Sequence, residues 1–335
     1  MTSAGLDRAT RDVLLRAAIL APSMHNTQPW RFRVEGTRIA VHRDPDHELP
    51  VEDPDHRATM ISIGAVLFDL RVAAAHLGAS ARAEIRFETA EPTLAAVVTI
   101  DPDPNPSNAD QGFEIGELAA LYDELPHRRT NRMPYADVSI PEDVRVELGR
   151  AAAAEGAALD WAPDAHQLRW LVQLAGEADL MDSGDPERLA ERRRWVGGER
   201  TDEGVPSASL GPRTEWPSFV RDLSVDKRDR IRGAEQFEPH PTLAVLSTRR
   251  DEPADWIVAG QALQHVLLTA TMHELSVSLL NQPLEHPELR WLARDPTAPS
   301  GIPQAILRFG YGPKVPPTPR RPLASFLLDR TEGDG

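Results

Sequence analysis

The sequence predicts a mixed helix-and-strand protein made of two related halves, and three observations carry that expectation. Some segments place apolar residues at helical spacing while others hold short uninterrupted apolar runs. Two long segments, Met60 to Leu77 and 254–275, are apolar nearly all round, as befits helices that sit inside a fold or at a subunit junction. Laid over each other, these segments match Gly64, Leu67, Leu70 and Ala74 with Gly260, Leu263, Val266 and Ala270, a constant offset of 260 − 64 = 196. Each lies between a preceding and a following strand, so the order reads as an internal duplication in which one chain imitates a two-fold homodimer.

The elements follow in order. Val13, Leu14, Ala17, Ala18 and Leu20 predict a helix over about Asp7 to Ala21, which Pro22 stops. A polar loop, Ser23 to Pro29, leads into strands at Trp30–Val34 and Arg38–His42 around a Glu35-Gly36 turn. A Pro/Asp/His loop over 43–57 precedes the first long helix, with Gly78 as its C-cap. Glu84–Glu88 and Leu94–Ile100 read as strands, and Asp101 to Asn108 is a linker by composition. The order then begins again: helices at 113–125 and Glu142–Glu155, strands at Ala158–Trp161 and Leu243–Leu246, the second long helix, and a strand at Ile306–Phe309. The halves are therefore expected at 1–108 and 109–335. Residues 181–239 break the pattern: they are polar and long for a connection, with Trp195, Val205, Leu210, Trp216, Phe219 and Val220 to dock them, and are read as a lid.

Composition excludes several classes. The 335 residues carry 52 acidic and 37 basic side chains, a net charge of −15 that repels a phosphate backbone, so nucleic acid is not an expected partner. There are no cysteines, which removes disulfides, Cys-ligated metals and a thiol nucleophile. The first residues lack a signal peptide's basic start and apolar core, and no apolar run is expected to span a bilayer, so a cytoplasmic protein without a membrane partner is expected. His42, His47 and His56 lie among Asp44, Asp46, Glu48, Asp53 and Asp55, but at no fixed ligand spacing, and no metal is expected. No phosphate-binding glycine motif of a resident dinucleotide or nucleoside triphosphate is present.

Three segments bear chemistry, each open to two readings. Ala21-Pro-Ser-Met-His-Asn-Thr-Gln-Pro-Trp30 places a row of donors and acceptors between a helix end and a strand; it is either a capping loop or a seat for a ligand with polar edge atoms. His127-Arg-Arg-Thr-Asn-Arg132 brings three guanidiniums and a hydroxyl into six residues, either a solvated stripe or a terminal-phosphate grip. Pro316 to Phe326 carries Arg320 and Arg321 on a stiff proline-rich arm, either a surface tail or the other jaw of a phosphate clamp.

Together these segments resemble the nitroreductase-fold flavoproteins. The loop through Trp30 is similar to their Ser/Asn/Gln-Pro-Trp motif, and Arg128-Arg-Thr-Asn-Arg132 to their Arg-x-Ser/Thr-x-Arg/Lys motif. Arg308-Phe-Gly-Tyr-Gly-Pro313 with Arg320-Arg-Pro-Leu323 is similar to their C-terminal glycine turn and closing phosphate contact. Order and length look most like the Acg branch, in which one chain holds both halves. The resemblance spans about residues 10–328, apart from most of 181–239. It implies an α+β, nitroreductase-like fold: two pseudo-two-fold-related halves with mixed or antiparallel sheets flanked by helices and a lid insertion.

It further implies non-covalent FMN between the halves, held by Pro22, Ser23, Met24, Asn26, Gln28, Arg128, Thr130, Arg132, Gln282, Arg320 and Arg321, with either of the last two closing on the phosphate. Arg132 is the implied cation beside the flavin; no side chain need be acid or base, because the cofactor carries the chemistry. The position matching the polar loop in the second half reads Ala153-Ala-Glu-Gly-Ala-Ala158, and nothing before Asp7 matches the arginine motif, so one FMN per chain is expected. NAD(P)H is the implied transient donor and a nitroaromatic, quinone or similar small molecule the acceptor. The alternatives are a protein that stores FMN under its lid and a flavin-free relic. A duplicated chain has already buried the usual dimer junction, which favours a monomer over a homodimer.

Overall fold

The computed structural model describes residues 5–87, 90–104, 109–162, 164–214, 221, 223, 232–294 and 301–328. Helix α1, Arg8–Ala18, is started by Asp7, whose side chain accepts from the Thr10 amide at 2.7 Å, a cap worth about 1 kcal/mol. Strands β1 (Trp30–Glu35) and β2 (Arg38–Arg43) follow, then helix α2 (Arg57–His76) and strands β3 (Ser80–Ile85) and β4 (Leu94–Asp101). They form one antiparallel sheet ordered β1-β2-β4-β3. The hairpin turn uses Gly36 at φ +59 and α2 ends before Gly78 at φ +75, conformations that favour glycine.

The second half repeats this plan. Helix α3 (Ala109–Ala120) and helix α4 (Glu142–Ala154) lead to β5 (Ala158–Trp161). After a long excursion come β8 (Thr242–Thr248), α7 (Pro253–Met272), β9 (Ser276–Leu279) and β10 (Ile302–Gly310). Their antiparallel sheet is ordered β5-β8-β10-β9. Replacing β1, β2, β3 and β4 by β5, β8, β9 and β10 turns the first order into the second, so the duplication is present in topology. Strand β9 escaped sequence reading because Ser276-Val-Ser-Leu279 is only four residues long. Strand β3 lies at Ser80–Ile85, earlier than the expected Glu84–Glu88.

The two halves meet where α2 crosses α7. A Cβ on Gly64 would stand 2.1 Å from the Ile257 carbonyl oxygen, and one on Gly260 would stand 1.9 Å from that of Ile61. Since 257 − 61 and 260 − 64 are both 196, the two contacts are two-fold mates, and glycine is required because backbone meets backbone. Helix α2 has the length and composition of a bilayer-spanning helix, contrary to the sequence expectation, but 83% of its apolar window is buried within the protein. Helix α1 packs on α2 as α4 packs on α7, and one core runs through both halves.

The insertion is longer than the segment 181–239 read from the sequence. It fills the place of the Gly36-Thr37 turn: between Trp161 and Thr242 run 242 − 161 − 1 = 80 residues, starting well before 181. It holds helices α5 (Ala165–Gly184) and α6 (Pro186–Trp195) and the short paired strands β6 (Arg213–Thr214) and β7 (Ala234–Glu235). The boundary was misplaced because α5 is amphipathic, burying Leu171, Leu174, Ala175 and Ala178, and runs on into the polar stretch. Trp195, Val205, Leu210 and Leu223 form a small core against Leu49, with Met24 packed on it. The expected anchors Trp216, Phe219 and Val220 lie outside the described residues. After β10 and the short helix α8 (Pro287–Arg290) that precedes it, the C-terminal arm crosses back to the first half, where Phe326 packs against Trp30 and Phe32 and the Leu328 amide donates to the Phe32 carbonyl at 2.9 Å.

Candidate active site

Four segments distant in sequence converge between the halves: the polar loop after α1, the arginine-rich loop before α4, residues 205–211 of the insertion, and the C-terminal arm. They enclose a cavity of about 300 Å³ that adjoins a second of about 130 Å³. Pro22, Ser23, His25, Thr130 and Arg132 line both. Met24 and Gln282 face the second cavity only, with Ile61, Leu263 and Leu279 as its apolar wall.

The arginine-rich loop is fixed by Asn131. Its amide donates to the Val277 carbonyl at 2.8 Å, and its Nδ2 donates to Ser276 Oγ at 2.9 Å and to the Pro313 carbonyl at 2.8 Å. The Tyr135 hydroxyl donates to the Asn131 carbonyl at 2.7 Å. A Cβ at Gly310 or Gly312 would come within 2.7 Å of the Tyr135 ring, which is why the turn after β10 is glycine-rich. Arg308, fully buried, pairs with Glu238 at 2.5 and 2.6 Å and lies over the Tyr135 ring. The glycine turn and Arg308 thus hold the loop from behind.

Charge is concentrated on the larger cavity. Arg128, Arg129, Arg132 and Arg320 all line it. Arg128 is buried; among the described residues its Nε and Nη1 have no hydrogen-bond partner, and its Nη2 reaches only the Leu20 carbonyl at 3.5 Å. Burial lowers Arg128 to about 10, against the pull of Asp69 and helped by repulsion from Arg129. Arg320 is lowered to about 9 by burial and by the charges of Arg128 and Arg129. Asp69, on α2, is the carboxylate nearest to answering them, but burial pushes its carboxyl well above its ordinary range despite Gln264, Arg128 and Arg320. With burial disfavouring its charge, Asp69 is a weak counterion for these guanidiniums.

Arg320 is less free than Arg128. Its Nε donates to the Ile19 carbonyl at 2.7 Å, its Nη2 to the Leu20 carbonyl at 3.0 Å, and its Nη1 to Asn26 Oδ1 at 2.8 Å. It thereby satisfies the C-terminal carbonyls of the α1 segment while facing the cavity. Arg132 is lowered to about 10, chiefly by burial, and its Nη1 donates to the Ser209 carbonyl of the insertion at 3.2 Å.

Two of the expected ligand residues line neither cavity. Gln28, wholly buried, donates through Nε2 to the Asp202 carbonyl at 2.9 Å and accepts from the Arg321 amide at 3.0 Å. Arg321 donates to the Gln28 carbonyl at 2.5 Å and pairs with Asp44 at 3.3 Å. They fasten the arm and the insertion to the polar loop. Ser23 Oγ accepts from the Gln28 amide at 2.9 Å, and Asn26, which borders the larger cavity, donates to the Gly204 carbonyl at 2.9 Å. His25, Asn26 and Gln28 all take φ near +50, each costing about 1–3 kcal/mol that the surrounding bonds must offset.

The insertion is held down by charge. Glu52, Asp182 and Glu285 converge within 4.8 Å, and Arg188, Arg192 and Arg221 answer them, with His286 Nε2 at 3.0 Å from Asp182. Burial pushes Asp182 and Glu52 up, but their histidine and arginine partners hold both carboxyls well below the usual range. The histidines of the 43–57 loop are ion-pairing residues, as when His47 Nδ1 meets Asp44 at 2.8 Å. Sequence reading missed Ser209 and Asp69. Only Asp69 left a signal, as a lone carboxylate in a nearly apolar helix.

No family model matches the chain. A Mycobacterium tuberculosis (strain H37Rv) protein provisionally named NAD(P)H nitroreductase acg is 33% identical over 326 residues, covering 94% of this chain and 95% of its own. Another from the same organism, provisionally named NAD(P)H nitroreductase Rv3131, is 32% identical, with 96% and 92% covered. Among solved structures, a Bacteroides fragilis nitroreductase with bound FMN aligns with 64% of this chain and 97% of its own, at 15% identity and a TM-score of 0.38. A nitroreductase-like protein from Bacillus cereus matches with the same TM-score, covering 64% and 96%.

Proposed function

Because this chain belongs to the Acg nitroreductase family, and its inner cavity is walled by guanidiniums short of an anion, we propose that it is an FMN-dependent oxidoreductase using NAD(P)H to reduce a nitroaromatic, a quinone or a similar small acceptor. The observation that carries this reading is Arg128: a buried guanidinium with two unpartnered nitrogens, beside Arg129 and Arg320, is unfavourable unless a multiply charged anion joins it. A terminal phosphate meets that need. In this reading Arg128, Arg129, Thr130 and Arg320 hold the phosphate. Pro22, Ser23, Met24, Asn26, Arg132 and Gln282 surround the ring system, while Gln28 and Arg321 brace the loop and arm.

When bound, FMN supplies the two-electron chemistry between donor and acceptor. The chain positions both and excludes water. Arg132, lining both cavities, steadies negative charge on the ring system. The same reading divides the chain into halves at 1–108 and 109–335 and gives one FMN per chain, which a monomer suffices to bind.

Anaerobic absorbance before and after NADPH tests the reading. A flavin spectrum that bleaches within seconds is expected; a protein that binds no FMN overturns it. A second reading, storage of FMN beneath the insertion, is favoured by the bonds from Arg132, Asn26 and Gln28 to insertion carbonyls. A bound flavin that NADPH leaves coloured would select it.

A further inference from the structure

We propose that His25, held by Glu52, is the proton donor to the acceptor in the reaction inferred above, and the proposal rests on that reading. His25 Nε2 lies 2.7 Å from Glu52 Oε2, and both side chains are buried. Of the histidines paired with carboxylates among the described residues, His25 alone lines these two cavities, and it lies on the wall they share. The fold sets it there at a cost, with non-glycine backbone at φ +49. Because Glu52 takes Nε2–H, the ring's other nitrogen, Nδ1, is the one left to exchange a proton, and it has no hydrogen bond among the described residues.

The surroundings suit a fixed donor. Glu52 also accepts from Arg192 Nε at 3.1 Å and Arg221 Nη2 at 3.4 Å, which fixes its position and its charge. Arg57 from the start of α2, Arg132 from the arginine-rich loop, Arg221 from the insertion and Glu285 from the turn after β9 face the cavity that His25 lines. Asp182 joins through Arg192 and Arg221. A carboxylate on one imidazole nitrogen sets the tautomer and orientation of the ring, and so makes the other nitrogen a directed acid or base.

The balance is simple. NAD(P)H is oxidised to NAD(P)⁺ and gives up a hydride equivalent; a quinone that gains it becomes a phenolate. The Nδ1–H bond of the His25 imidazolium breaks, an O–H bond forms on the phenolate, and the neutral ring regains its proton from water. General acid catalysis of this kind contributes on the order of 10²-fold or more.

The test compares holoprotein of the wild type, His25→Gln and Glu52→Gln. Stopped-flow absorbance follows bleaching by NADPH and then recolouring by a benzoquinone across pH 5.5–9. Recolouring in His25→Gln is expected to slow about 10²-fold relative to bleaching, to lose the wild-type dependence on pH, and to recover in part when imidazole is added to His25→Ala. A second readout needs no turnover: ¹⁵N NMR of the cofactor-free protein should show neutral His25 as the Nε2–H tautomer, and Glu52→Gln should lose that preference. If wild type and His25→Gln bleach and recolour alike with the same pH profile, His25 is not the donor and the oxidoreductase reading survives. If the wild type binds no FMN, that reading itself has failed. If Glu52→Gln does not fold, the His25 variants decide.

Discussion

The ends of α1 and α4 are equivalent positions in the two halves, yet they differ in every respect that bears on function. Between α1 and β1 run 30 − 18 − 1 = 11 residues, which carry the polar loop and its left-handed backbone; between α4 and β5 run only 158 − 154 − 1 = 3. Beside the first end the charges are one-sided, with Arg128 partly unpartnered and Asp69 pushed toward its neutral form. Beside the second, Glu155 meets Arg71 and lies 3.3 Å from His265, while Arg71 also pairs with Glu114. Position 69 plus the offset of 196 is 265, so the aspartate of the open site and the histidine of the closed one are mates. Even their partners correspond: Gln264 bonds Asp69 at 2.7 Å, where its mate Phe68 stacks on His265. A duplicated fold keeps its backbone symmetry because both crossing helices need it. At the equivalent position of the second half, the charges are paired with one another.

The comparison breaks most severely at the crossing. Gly64→Ala and Gly260→Ala each force a methyl into an opposing carbonyl, and each is expected to cost on the order of 3 kcal/mol or more; near-equal losses of Tm in thermal melts would confirm their equivalence. At the closed site, Glu155→Gln leaves Arg71 without its buried partner and is expected to destabilise by about 3 kcal/mol, while FMN affinity measured by fluorescence quenching stays constant. At the open site the pattern inverts. Arg128→Met is expected to weaken FMN about 100-fold, near 2.8 kcal/mol, yet to leave the ligand-free protein as stable as before, because it removes an unpartnered charge.

The smallest effect belongs to the insertion. Asp179 is raised to about 6, chiefly by burial, against the pull of Arg221. A carboxyl raised in the folded state favours folding when protonated and loses that contribution as pH rises through 6. Asp179→Asn should therefore raise Tm at pH 7.5, with the gain shrinking toward pH 4.5. A gain that instead grows with acidity would sink this account.

Much of the fold was legible because its signals are local. The apolar runs of α2 and α7 mark buried helices, Asp7 and Pro22 bracket α1, and Gly36 marks a turn. The motif residues Arg128, Thr130 and Arg132 were legible as a set, and the cavity brings them together with Pro22, Ser23, Asn26 and Arg320. Gln28 and Arg321, read as ligand residues, bond to each other and to Asp202 and Asp44. The choice between a side chain that faces a cavity and one that braces it turns on a partner 293 residues away, which no local pattern encodes.

By itself the sequence determined most elements outside the insertion, the repeat and the chemical character of the loops, since periodicity, capping and composition act over a few residues. The tertiary structure decided that an 80-residue insertion replaces a two-residue turn, that the C-terminal arm returns Arg320 to α1, and that His25 meets Glu52. Those outcomes depend on desolvation and on the pairing of distant charges. Both exist only once the chain has closed around them.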